Sequence, residues 1–170
     1  MDYNSYYNNA GIRETCKVVK QYENRRVQEK AIRVIAQYII SLNIVGEGDI
    51  LIPVPQHTGS AEYTKQIANI VASNSGAVVA DILKRVPEES LYEKKKNNKS
   101  VQPHLYLNQR IPPNNHYFFV DNVISTGTTF HTANKLFDYK LIPLVYAIDD
   151  TKPQAREIIR EYKWYDRTAT

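Results

Sequence analysis

Cysteine is almost absent from this chain: Cys16 stands alone, which excludes an intrachain disulfide, and with no thiol partner it reads as an inert residue. There are only four histidines, they do not cluster, and neither a CxxC pair nor an HExxH run occurs, so a transition metal held by the protein alone is not expected. Long apolar runs are missing too. The longest stretch without charge, residues 35–46, is about a dozen residues, against the roughly 20 that cross a bilayer, so no membrane association is expected. The first seven residues have neither the basic nor the apolar region of a signal peptide, and a cytoplasmic location is the expectation. With 42% hydrophobic and 24% charged residues the composition is that of a soluble globular protein, and 170 residues suit one domain over 1–170 with a substantial core.

What is present is concentrated at residues 117–129. Tyr117, Phe118, Phe119 and Val120 are successive aromatic or β-branched residues ended by Asp121, a pattern suited to a fully buried parallel strand. Ser125, Thr126, Gly127, Thr128 and Thr129 then form a tight turn expected to open a helix over 125–137. The free N–H groups and positive dipole end of such a helix, a glycine that lets backbone approach closely, and four hydroxyls together make a phosphate-sized cradle without a lysine. Taken alone, Thr-Gly-Thr-Thr serves equally well as a plain helix N-cap.

Charge is uneven. Residues 84–110 carry seven basic and three acidic side chains, and outside them the two signs balance at 15 each, so the whole net charge of +4 lies in this stretch. With Pro87, Pro103, Asn97 and Asn98 and no clean periodicity, it reads as a long flexible basic loop, either a lid or binding segment or a solvated charge run.

Around these features strands alternate with helices. Residues 1–15, rich in Tyr and Asn, read as an irregular arm. Val27, Ala31, Val34, Ile35, Tyr38, Ile39 and Leu42 recur at helical spacing over 23–42. Strands are expected at 49–54, 77–83 and 141–148, and further helices at 59–73 and 152–162. The order implies an α/β fold, a mostly parallel central sheet with helices on both faces, whose ligands sit at the carboxyl ends of strands where loops 53–60, 84–110 and 121–129 meet.

The string Asp-Asn-Val-Ile-Ser-Thr-Gly-Thr-Thr behind an apolar strand resembles the phosphoribosyl-pyrophosphate loop of the type I phosphoribosyltransferases. By that resemblance Asp121 and Asn122 face the ribose, and Ser125, Thr126, Gly127, Thr128 and Thr129 hold the 5′-phosphate. Asn122 stands where the family usually has a second carboxylate; an amide still hydrogen-bonds a hydroxyl but brings no negative charge to a sugar that becomes cationic. Ile52-Pro53-Val54-Pro55 followed by Gln56 and His57 also looks like the competence-protein-F group, and this loop falls where the family places its pyrophosphate loop. Gln56, His57 and Thr58 are then diphosphate contacts, although a lone loop histidine is more often simply exposed. Lys84 and Arg85, at the end of the second strand, match the family's basic diphosphate contact, with Arg85 the first choice. Lys94, Lys95 and Lys96 reach a closed site or serve solubility.

The implied activity is transfer of the 5-phosphoribosyl group from phosphoribosyl pyrophosphate to a nitrogen acceptor, with Asp121, Asn122 and Arg85 in the catalytic set and Mg²⁺ carried by the substrate, near Asp121. Families using 6-oxopurines have an Asp where this chain has Ser125, which points to another nucleobase or amine. The acceptor is read by a small hood from the termini, either Tyr3, Tyr6 and Tyr7 or the tail with Trp164 and Tyr165. A homodimer is compatible with the resemblance. Two other classes stay open: a non-catalytic regulator or sensor of phosphoribosyl pyrophosphate or a nucleotide, possible on nucleic acid given the basic loop with Tyr92 and Tyr106, and an α/β interaction protein with no phosphate site.

Overall fold

A computed structural model of the protein describes residues 3–87, 103–114 and 116–162. Four strands form a parallel sheet: β1 (Ile50–Pro53), β2 (Val78–Val79), β5 (Tyr117–Ile124) and β6 (Leu141–Ile148), in the order β2-β1-β5-β6. β3 (Leu83–Arg85) and β4 (Leu105–Leu107) make a separate antiparallel pair. The helices are α1 (Ala10–Val18), α2 (Arg25–Ser41), α3 (Tyr63–Ser75), α4 (Thr128–Leu136) and α5 (Pro153–Glu161).

β1 and most of β5 are buried runs because helices flank the sheet, and burial on both faces removes the usual alternation of apolar and polar residues. Phe119 meets Phe130 of α4 edge to face at 5.2 Å, which ties α4 to the motif strand. On the other face α2 buries Ala31, Ile32, Ile35, Ala36 and Ile39. Val27 and Val34, expected among the core positions, lie 38% and 41% exposed on the flank of that stripe.

Several boundaries differ from the sequence reading. Ala10–Val18 is helical where an irregular arm is expected; Asn9 caps it, its side chain accepting from the Ile12 N–H, and Cys16 anchors it in the core. The stretch 77–83 is not one strand: β2 stops at Val79 and the chain turns to begin β3, which pairs with β4 so that Lys84 faces Tyr106 in register. Lys84 and Arg85 therefore belong to a strand rather than to a loop starting at 84. α3 begins at Tyr63 instead of 59, and α4 at Thr128 instead of 125. The motif strand runs past Asp121 to Ile124, with Asp121 paired to Val145 and Ile124 to Ile148. Lys94 to Lys96, Tyr92, Trp164 and Tyr165 lie outside the described residues.

Upstream of α1 the chain lies along the edge of β6, with Tyr6 N–H donating to Ile148 and Ile148 N–H to Asn4, each at 2.9 Å. Tyr3 donates to Asp150 at 3.1 Å. β2 lies on one side of β1, and β5 and β6 lie on the other. The connections leaving β1 and β5 therefore part in opposite directions, which opens a crevice at their carboxyl ends.

Candidate functional site

A cleft of about 530 Å³ occupies that crevice. The β1–α3 loop contributes Pro55, Gln56 and His57, β3 contributes Arg85, and the β5–α4 segment contributes Asp121, Asn122, Ser125 and Thr129. A smaller hollow of about 70 Å³ adjoins it, bounded by Asp121 and by the turn from Ser125 to Thr129.

The turn is shaped by Gly127, which has φ +79°, a left-handed conformation that side-chain-bearing residues rarely adopt. A Cβ there would stand 2.7 Å from Ile158 Cδ1 of α5, so that side-chain end would have to shift. The positive φ is thus the main reason for glycine here, with the Ile158 contact behind it adding to the cost of a side chain. The hydroxyls of Thr126 and Thr128 lie 3.0 Å apart and Thr128 N–H donates to Thr126 Oγ1 at 3.4 Å. The N-cap residue itself, Gly127, offers no side-chain cap to α4. Its N-terminal turn thus presents donors and the positive dipole end toward the hollow.

Asp121 and Asn122 both line the cleft but differ in their surroundings. Because the strand continues through both, successive side chains leave on opposite faces. Asp121 lines the cleft, and burial pushes its carboxyl up to about 6, opposed by the Lys20 charge and by the Asn122 N–H, which donates to Oδ1 at 2.8 Å. Asn122 is only 1% exposed. Its Nδ2 donates to the Cys16 carbonyl at 3.2 Å and its Oδ1 accepts from the Tyr63 hydroxyl at 3.3 Å. The carboxamide lines the cleft beside Asp121, as expected, with both of its polar atoms also held by protein partners.

The diphosphate candidates separate in the same way. Gln56 holds its own loop, Nε2 donating to Val54 O at 3.0 Å and Oε1 accepting from Glu62 N–H at 2.6 Å. His57 is exposed at the cleft, and Thr58 donates to Glu62 at 3.2 Å. Gly59 and Ser60 do not begin a helix, so no helix end is available there for an anion. Lys84 is bound to Asp81 at 3.0 Å, a carboxylate that also takes Lys65 at 3.2 Å, and it does not line the cleft. Arg85, the next residue, does.

Three lining residues were missed by the sequence reading: Lys20 and Tyr22 from the α1–α2 connection, and Tyr63 from α3. Tyr63 carries a signal in hindsight, an aromatic polar residue at the first turn of a helix that follows the Pro-rich loop. Lys20 and Tyr22 lie in a polar stretch with nothing to connect it to a site. Tyr3, Tyr6 and Tyr7, one of the two hood alternatives, do not line the cleft: the Tyr3 hydroxyl donates to Asp150, the Tyr6 backbone N–H to Ile148, and Tyr7 is exposed.

Among the described residues no group of three or more His, Cys, Asp or Glu side chains is placed to hold a metal ion, and no helix is long and apolar enough to cross a membrane. No family model, curated protein or solved structure matches this chain.

Proposed function

We propose that the cleft binds phosphoribosyl pyrophosphate and that the protein is a phosphoribosyltransferase of the type I fold, transferring the 5-phosphoribosyl group to a nitrogen acceptor. The observation that carries this reading is the meeting, at the point where the sheet's strand order reverses, of an acid (Asp121), a glycine-shaped helix start (Ser125 to Thr129) and a guanidinium (Arg85) around one cleft. Each suits one part of the substrate. The turn suits the 5′-phosphate, Asp121 the ribose hydroxyls, and Arg85 with the 56–58 loop the diphosphate.

Attack by an acceptor nitrogen forms the N–C1 bond while the C1–oxygen bond breaks, the electron pair leaving on pyrophosphate and the acceptor's proton passing to water. C1 becomes cationic as this happens, so the Asp121 carboxylate stabilises the transition state more than the ground state. Arg85 neutralises the departing diphosphate, and the phosphate turn fixes C1 against the acceptor. With one carboxylate lining the cleft among the described residues, the side chains suit an ion carried by diphosphate oxygens rather than by the protein; Mg²⁺ bound in this way would supply charge neutralisation to the leaving group.

A second reading, a non-catalytic sensor of the same ligand, is favoured by the amide at Asn122, which leaves Asp121 the one carboxylate lining the cleft among the described residues. Pyrophosphate release, assayed with phosphoribosyl pyrophosphate, Mg²⁺ and a panel of nucleobases and amines, separates the two. Release that requires one acceptor supports the enzyme, and binding without release with every acceptor supports the sensor.

A further inference from the structure

The connection between α1 and α2 is fixed in place although it carries no regular structure. Val19 is fully buried and its carbonyl accepts from Gln28 Nε2 at 2.9 Å inside the protein. One turn earlier the Cys16 carbonyl takes the Asn122 amide, which ties α1 to the motif strand. Lys20 and Tyr22 follow these anchors and reach the cleft from a segment outside the turn, loop and strand that suit the ribosyl donor.

Their chemistry is specific. Lys20 is close enough to Asp121 for its charge to favour the carboxylate, yet among the described residues no carboxylate lies within ion-pair distance of it. Tyr22 has its hydroxyl beside the Glu62 carboxylate, which with burial holds the phenol protonated well above its ordinary range. With the hydroxyl occupied, what Tyr22 offers a ligand is its ring. Val54, Pro55 and Val123 line the same cleft and supply apolar faces. A flat ring fits such surroundings, and a cation without a carboxylate partner at the wall favours negative charge on that ring.

We infer that Lys20 and Tyr22 form the acceptor wall of the cleft and that the acceptor is a planar ring bearing an anionic group. The inference rests on the phosphoribosyltransferase reading of the cleft, and it adds a substrate class and two specificity residues. Asn122 acts here as a positioning residue: through Cys16 it holds the segment that carries Lys20.

Two matched pairs of probes test it, orotate against uracil and nicotinate against nicotinamide, each pair differing by a ring carboxylate. Their affinities are measured by calorimetry on the full chain with ribose 5-phosphate present, and ribose 5-phosphate is titrated separately. In at least one pair the carboxylate should bind tenfold or more tighter to the native protein. Lys20→Met should erase that preference while leaving the neutral partner and ribose 5-phosphate within about twofold. Tyr22→Leu should weaken both members of the pair. Both side chains are exposed enough for these variants to fold. Equal affinities within both pairs, or a preference that survives Lys20→Met, overturns the inference while the donor site stands. Failure of ribose 5-phosphate itself to bind overturns the donor site, and the acceptor wall falls with it.

Discussion

The Asn122 amide donates to the Cys16 carbonyl at 3.2 Å across 106 positions of sequence, joining the motif strand to the first helix inside the protein. A residue that lines the cleft is thus also a fastener. Asn122→Ala leaves the Cys16 carbonyl and the Tyr63 hydroxyl without this partner, and should cost about 1–3 kcal/mol of stability. Asn122→Asp should be no milder, because it sets a carboxylate against a carbonyl where the amide donated. Urea denaturation checks both; a midpoint unchanged in either variant would show that the link carries no stability.

Asp121 gives the protein a pH signature. Its carboxyl is raised from the ordinary 3.8 to about 6 in the folded state, so between those values the folded protein holds the proton more firmly than the unfolded chain does. Stability from this group is therefore present below about pH 4 and is lost as pH rises through about 6. Asp121→Asn removes the titration. The native protein should lose stability relative to Asp121→Asn across that window, and denaturant midpoints that stay parallel in the two proteins contradict the raised value.

Gly127 tests the cradle from behind. Gly127→Ala should destabilise by roughly 1–2 kcal/mol through its positive φ alone, with more from the contact with Ile158. Adding Ile158→Val shortens the opposing side chain, so the double variant should cost less than the sum of the two single changes, a non-additivity that thermal melts can read.

Adjacent cations should behave differently. Lys84 is held by Asp81 away from the cleft and Arg85 lines it, so Lys84→Met should leave phosphoribosyl pyrophosphate affinity within about twofold while Arg85→Met should lower it tenfold or more. Equal losses from both variants would place the diphosphate elsewhere.

β6 was legible at its observed boundaries, and the start of β5 too, because both are continuous apolar runs that only a doubly covered strand explains. The course of β5 beyond Asp121 was not. An acid followed by an amide reads as the end of a strand, and only pairing with β6 carries the ladder to Ile124. α1 was hidden because Ile12, Cys16 and Val19 are too few to declare a helical face among polar neighbours. β3 was hidden because its partner β4 lies across a long polar stretch, a pairing no local pattern encodes. The glycine turn at 125–129 and Arg85, both at the cleft or its adjoining hollow, were visible as local chemistry. The wall formed by Lys20 and Tyr22 was invisible because tertiary anchors alone bring it to the cleft.

The most direct test of the account is a calorimetric titration of the native protein and Arg85→Met with phosphoribosyl pyrophosphate and Mg²⁺. Saturable binding at one site per chain, weakened tenfold or more in Arg85→Met, is the predicted result. Absence of binding to the native protein, or binding that Arg85→Met leaves unchanged, contradicts it.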